Sequence, residues 1–359
     1  MKNQYLNREK VFAVAPMIDW SDRHFRYLAR QLSHHALLYT EMVVADAILR
    51  GNREKLLGFD QSEHPVALQL GGNDPVKLAE AARIGADFGY DEINMNVGCP
   101  SDRVQSGTFG ACLMREPETV AACVAAMKAV VNVPVTVKCR IGVDDQDAEV
   151  ALRELLANVV DAGVDAVWVH ARKAWLQGLS PKENRDIPPL DYDLVYRVKA
   201  ERPSLFIGIN GGVTSLGQAH DHLKHVDGVM MGRSAYHDSA LLTGVDQMFP
   251  HPMTRALGPV EALTPSGHTA SPAFWENLRD TMMVYADRHI DSGGRLIHVT
   301  RHMVGLFQGW PGARRFRQIL SSDATRAGAG SAVIAHAFDA IFEASATHVV
   351  NHDTKNGAV

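Results

Sequence analysis

The chain is poor in cysteine, has no long apolar run and shows no excess of positive charge. Its four cysteines, Cys99, Cys112, Cys123 and Cys139, form no Cys-x-x-Cys pair. That removes the usual signature of a disulfide framework or a cysteine zinc site. Unpaired thiols suit a reducing compartment. No apolar run reaches the length of a membrane span. Met1-Lys2-Asn3-Gln4-Tyr5 lacks the apolar stretch of a signal peptide. A soluble cytoplasmic protein is expected. The 17 histidines are scattered and form no HExxH, so no metal site is expected. Net charge is -5, and any case for nucleic-acid binding must come from local patches. No G-x-G-x-x-G follows the first strand pattern, which argues against an open dinucleotide-binding sheet.

What is present is a rhythm. Short strand-like runs recur at Val11–Ala15, Ala36–Thr40, Val66–Leu70, Glu92–Asn96, Val135–Cys139, Ala166–His170, Leu205–Asn210 and Gly228–Met231. Amphipathic helical patterns fall between them, among them Asp22–Leu32, Pro75–Phe88, Pro117–Val130, Ala148–Ala162 and Tyr192–Glu201. Asp74 suits an N-cap, and Pro75 and Pro117 suit a first helical turn. Alternating strands and helices predict parallel β-α units. Eight of them predict an α/β fold of the (β/α)8 TIM-barrel type over residues 1–250. Residues 251–272 read as a linker rich in Pro, Gly, Ser and Thr. Helical patterns at 273–290, 294–307, 312–321 and 330–347 predict a small helical domain over 273–350, with a flexible tail at 351–359.

Barrel enzymes carry reactive groups at the C-terminal ends of their strands. Asn210-Gly211-Gly212 ends the seventh strand and Gly232-Arg233 the eighth. Glycine lets phosphate approach backbone N–H groups, and arginine adds a charged fork. Taken singly, each pair is equally a tight turn. Lys138 points inward from Val135-Thr136-Val137 and needs an acceptor or a negative charge. An inward carboxylate would serve, as would the electron-rich edge of a flavin. His170 is either a satisfied core histidine or a ligand contact. Gln69 and Asn94 offer amides suited to the imide edge of a flat heterocycle. Cys99, between Gly98 and Pro100, is either a small buried hydrophobe or a proton donor on a rim loop. No Ser/His/Asp pattern surrounds it, so acyl transfer is not indicated.

Several segments occur in a fixed order. They are Ala15-Pro16-Met17-Ile18-Asp19-Trp20, Asn94-Met95-Asn96-Val97-Gly98-Cys99-Pro100-Ser101, His170-Ala171-Arg172-Lys173-Ala174-Trp175, Ser180-Pro181-Lys182-Glu183-Asn184-Arg185 and Ile209-Asn210-Gly211-Gly212. Arg301-His302-Met303, Gly305-Leu306-Phe307-Gln308-Gly309 and Pro311-Gly312-Ala313-Arg314 follow. Through them the chain resembles the tRNA-dihydrouridine synthases, A subfamily, over nearly its whole length. The resemblance implies an FMN enzyme that reduces uridine in tRNA to 5,6-dihydrouridine, at D-loop positions 20 and 20a. It implies NADPH as reductant of the flavin, although no motif separates NADPH from NADH. Hydride would pass from flavin N5 to uracil C6, and Cys99 would protonate C5. The implied flavin contacts are Pro16, Met17, Gln69, Lys138, His170, Asn210, Gly211, Gly212, Gly232 and Arg233. Asn96 would lie by the flavin and the target base.

A target base must leave the RNA fold to reach a buried cofactor. The RNA then needs a grip. Residues 288–317 hold six arginines (288, 295, 301, 314, 315 and 317) against Asp291 alone. The expected tRNA contacts there are Arg295, Arg301, His302, Arg314 and Arg315. Phe307, Trp310 and Phe316 interleave them and either stack on bases or pack in a core. Lys182, Asn184 and Arg185 form a second expected grip. Nothing in the sequence requires more than a monomer. Two other readings stand beside this one: an FMN barrel acting on a small molecule, and an RNA-binding barrel without redox chemistry.

Overall fold

The computed structural model describes residues 10–101, 109–249 and 270–356, with side chains of the last helix described to residue 346. Eight parallel strands close into one barrel in sequence order. They are β1 (Val11–Val14), β2 (Leu37–Val44), β3 (Val66–Gly71), β4 (Glu92–Val97), β5 (Val135–Arg140), β6 (Ala166–His170), β7 (Phe206–Asn210) and β8 (Gly228–Met231). Pairing of β1 with β8 completes the ring. The strands are buried on both faces, as a parallel sheet covered by helices requires. All eight expected strands are present. The second runs past Thr40 to Val44, because a register shift between Tyr39 and Met42 keeps it paired with β3.

Local signals set the helices. Asp74 accepts from the amides of Val76 and Lys77, Pro75 opens the helix Pro75–Phe88, and Gly89 ends it at φ 101°. Inside the barrel, Trp168 fills the floor together with Leu37, Tyr39, Ala67 and Met230. The ring fits because β7 and β8 offer glycine opposite it. A Cβ on Gly208 would stand 2.1 Å from the indole, and one on Gly228 would stand 2.7 Å away. Trp168 and its neighbours therefore close the floor of the barrel.

The helices Pro272–Asp291, Leu296–Thr300, Ala313–Ser322 and Ala332–Asn356 follow the barrel. Phe307 and Phe316 are fully buried, and Phe307 packs edge-on against Phe316 and Phe338. Trp310 packs on Trp275 and Phe307. These three aromatics form the helical core, which decides between the two roles open to them. The expected helix over 294–307 is only Leu296–Thr300, followed by turns. The linker expected over 251–272 lies outside the described residues up to 269, and Ser271 caps the helix that starts at Pro272. Helical backbone continues to Asn356 through much of the expected tail, and residues 357–359 lie outside the description.

The helices bind the barrel firmly beside β1. Tyr27 and Tyr285 stack with centroids 3.8 Å apart, and Tyr285 Oη lies 2.8 Å from His24 Nδ1. Asp22 accepts from Arg301 and lies 3.0 Å from His302 Nε2. Burial alone would push the Asp22 carboxyl up. The hydrogen bond and charge of His302 outweigh that and hold it well below the usual range.

Candidate active site

The cysteine loop leaves β4 and is pinned from two sides. Asn96 Oδ1 accepts from the amides of Gly98 (3.1 Å) and Cys99 (2.9 Å). Arg140, at the end of β5, reaches across from the other side. Its Nε donates to the Gly98 carbonyl (3.1 Å), and its Nη1 donates to the carbonyls of Lys173 (3.0 Å) and Asn184 (2.9 Å). One buried guanidinium thus ties the Cys99 loop to the loop after β6. Burial lowers its pKa to about 10. Cys99 is half-buried, with Sγ 3.6 Å from Ser101 Oγ. Cys123 and Cys139 are buried, and burial pushes both thiols up to about 12. They are packing residues by environment. Cys112 is half-buried.

Lys138 stands on β5 and donates to Asn210 Oδ1 at 3.1 Å. Asn210 Nδ2 donates in turn to the Met230 carbonyl at 2.8 Å. One register higher, Arg140, His170 and Asn210 pair across β5, β6 and β7. Burial and the charges of Arg140, Lys138, Arg172 and Arg233 hold the His170 pKa well below the ordinary histidine value. Its ring is a neutral donor and acceptor, and no described residue hydrogen-bonds to it. Gly211 (φ 113°) and Gly212 (φ 72°) leave β7 in the left-handed region. A Cβ on Gly211 would stand 2.6 Å from the His170 ring. Gly232 faces Ala15 and Met17 at ordinary contact distance and precedes the helix Arg233–His237, next to Pro16 of the β1 loop. Arg233 pairs with Asp186 at 2.7 Å.

The site is a cationic bowl. Lys138, Arg140, Arg172, Arg185 and Arg233 meet around a neutral histidine, and among the described residues Asp186 is the acid paired into this group. Such a bowl favours an anionic ligand.

The expected residues do not all face it. Gln69 and Asn94 are buried and spend their amides on each other, with Gln69 Nε2 donating to Asn94 Oδ1 at 2.8 Å. Asn96 is a brace for the cysteine loop. Asn184 is a correction: it is fully buried, accepts from the Trp175 amide (2.7 Å) and donates to the Trp175 carbonyl (2.8 Å). It shapes its loop from within and presents nothing to RNA. His302 is a second correction, fully buried against Asp22 and Tyr236. Arg301 is half-exposed but engaged by Asp22. Lys182, Arg185, Arg295, Arg314 and Arg315 are exposed. Sequence reasoning gave no role to Arg140 or to Trp175, which stands exposed at 43%. The signal for Arg140 was available. Alternation along β5 puts Thr136, Lys138 and Arg140 on one face.

Residues 13–342 match the family described as dihydrouridine synthase (Dus). The chain belongs to this family. A relative from Shewanella oneidensis, named tRNA-dihydrouridine(20/20a) synthase, is 53% identical over 339 residues, covering 94% of this chain and 96% of the relative. Relatives of the same name from Escherichia coli K12 and Synechocystis are each 51% identical. The first covers 91% of this chain and 90% of the relative, and the second 91% and 93%. Among solved structures, a 2-naphthoyl-CoA reductase complex aligns with TM-score 0.51 and 10% identity, over 67% of this chain and 50% of that one. That likeness speaks for the barrel alone. Dihydrouridine synthases reduce uridine in tRNA to dihydrouridine, and that activity belongs to this chain through its family.

Proposed function

We infer that this chain is a tRNA-dihydrouridine(20/20a) synthase, reducing uridines 20 and 20a of the tRNA D-loop with NADPH through FMN. The carrying observation is the joint presence of the pinned Cys99 loop and the Lys138–His170–Asn210 bowl at the strand ends of one barrel. FMN fits the residues present. Glycines 211 and 212 leave the backbone open to a phosphate, Arg233 would add a fork, and no described residue hydrogen-bonds to the His170 ring. When bound, the flavin supplies the hydride. Lys138 would hold the group there and offer its positive head to the negative charge that the reduced ring gains. Cys99 holds a proton on the rim. Once uracil C6 is reduced, C5 is carbanionic beside the C4 carbonyl and takes that proton. One chain carries every group named here, so a monomer suffices. No helix among the described residues is long and apolar enough to cross a membrane. We assign the protein to the reducing cytoplasm, which its four free thiols suit.

The test is an assay of the purified protein with FMN, NADPH and unmodified tRNA, read by nucleoside mass spectrometry and mapped to the D-loop. Dihydrouridine at those positions is the expected product. A charged, competent tRNA left unmodified would refute the reading, and reduction elsewhere in the tRNA would refute the positions.

Lys138 gives a pH signature. Burial first, then repulsion from Arg140, lowers its pKa from 10.5 to about 8. The charged form therefore costs stability below about pH 8, and that cost fades as pH rises from about 8 towards the ordinary lysine value. A bound anion reverses the preference and keeps the proton. FMN affinity is expected to fall as pH rises above 8, and Lys138→Met is expected to flatten the profile. Fluorescence titration from pH 7 to pH 10 measures both. An equally steep profile in the variant would remove Lys138 from the flavin contacts.

RNA gripping is assigned to exposed cations: Lys182 and Arg185 on the barrel loop, Arg295, Arg314 and Arg315 on the helices. Deleting the helices would not isolate their role, since Tyr27 and Asp22 of the barrel lose packed partners. Charge reversal at Arg314 and Arg315 is cleaner. The double glutamate variant is expected to weaken tRNA binding about tenfold or more at low salt and to flatten log affinity against log salt by about one unit per lost phosphate contact. Flavin reduction should be unaffected. Wild-type affinity and slope would move the grip elsewhere.

A further inference from the structure

Glu92, at the foot of β4, is fully buried inside the barrel, and no step above uses it. It accepts from the hydroxyls of Tyr39 and Thr136. From this carboxylate a hydrogen-bond chain runs in one direction to the cysteine loop. Thr136 commits its one proton to Glu92, so its oxygen accepts from Asn94 Nδ2 at 2.8 Å. Asn94 Oδ1 then faces Gln69 Nε2 at 2.8 Å. Gln69 Oε1 faces Asn96 Nδ2 at 2.8 Å. Asn96 Oδ1 is left to accept from the amides of Gly98 and Cys99. The links alternate between strands, from β4 to β5, back to β4, to β3 and to β4 again.

The shape of an amide side chain does not say which end is oxygen. Its partners decide. Here the two ends of the chain make the same demand. At the floor one Glu92 oxygen takes the hydroxyl protons of Tyr39 and Thr136, and at the rim two backbone N–H groups donate only. Every link between them must point the same way. Thr136 and Asn94 are fully buried and Gln69 is 1% exposed, so a reversed link has little access to solvent to satisfy it.

We propose that Glu92 is a positioning residue for the catalytic loop. Through Thr136, Asn94, Gln69 and Asn96 it sets the amide polarity that holds Gly98 and Cys99 in place. The proposal concerns how the loop is held, and its catalytic meaning rests on the role inferred for Cys99. Its test therefore reads the loop directly and needs neither flavin nor tRNA.

Thr136→Val keeps the shape and removes the link, while Thr136→Ser keeps it. In Thr136→Val the amides of Gly98 and Cys99 are expected to exchange with solvent about tenfold faster or more. The Ile93 amide, bonded to the Pro134 carbonyl, is expected to keep its protection. Alkylation of Cys99 by iodoacetamide should change in the same variant, and the serine variant should restore both readings. Unchanged protection at Gly98 and Cys99 in a folded valine variant overturns the proposal. So does equal loss of protection at Ile93, which would signify general destabilisation. Should the valine variant not fold, Glu92→Gln replaces it. Its amide admits a reversed chain, so faster exchange at the same two amides supports the proposal and unchanged exchange overturns it.

Discussion

Cys99→Ala is expected to leave NADPH-driven flavin reduction at its normal rate and to cut dihydrouridine formation by about 10²-fold or more. The two half-reactions would separate because the role proposed for the thiol is proton donation to the nucleobase. The loop itself should survive the change. It is held by backbone and by neighbours: the Cys99 amide on Asn96, the Gly98 carbonyl on Arg140, and the Cys99 carbonyl accepting from the Ala111 amide. None of these contacts uses the sulfur. Rapid-mixing spectroscopy reads the flavin, and nucleoside mass spectrometry reads the product. Normal dihydrouridine formation in the alanine variant would remove the thiol from the proton-transfer step.

Arg140→Met is expected to damage both stability and turnover. The side chain is 3% exposed and donates to three carbonyls on two loops. Methionine fills much of the volume but leaves those oxygens unpaired. Each buried unpaired acceptor costs about 1–3 kcal/mol, reduced where the loop relaxes. A net loss on the order of 3 kcal/mol corresponds to a fall in Tm of several degrees. Freed from one another, the Cys99 loop and the loop carrying Lys182 and Arg185 lose their shared anchor. The rate of base reduction should fall further than FMN binding weakens. Thermal melts and single-turnover assays test this. A variant with unchanged Tm and rate would show that the loops are held by other contacts.

The barrel was legible because its signals are local. Runs such as Val135-Thr136-Val137 and Val66-Ala67-Leu68 occur at regular spacing with capped helices between them. The candidate site was outlined from the same local signals, since Lys138, His170, Asn210 and Cys99 lie at or near the C-terminal ends of their strands. The misreadings arose where burial, not residue type, sets the role. Asn184 looks like a polar loop residue, yet it is the internal strut of its loop. His302 lies in a basic stretch, yet it is sealed against Asp22. The expected helix through 294–307 breaks after Thr300, and Gly305 lies against the barrel. A Cβ there would stand 2.5 Å from the His237 carbonyl oxygen. That neighbour is distant in sequence and invisible to helical periodicity.

By itself, then, the sequence determined the strand count and the barrel. Those follow from alternation, capping and residue chemistry over short stretches. Only the tertiary structure decided which polar groups line the cationic bowl and which hold others in place. Closing the barrel sets β3, β4 and β5 side by side, so Gln69, Asn94 and Thr136 exhaust much of their hydrogen-bonding capacity on one another. Hydrogen-bond partners are chosen by proximity in space, and spacing along the chain carries no record of that choice.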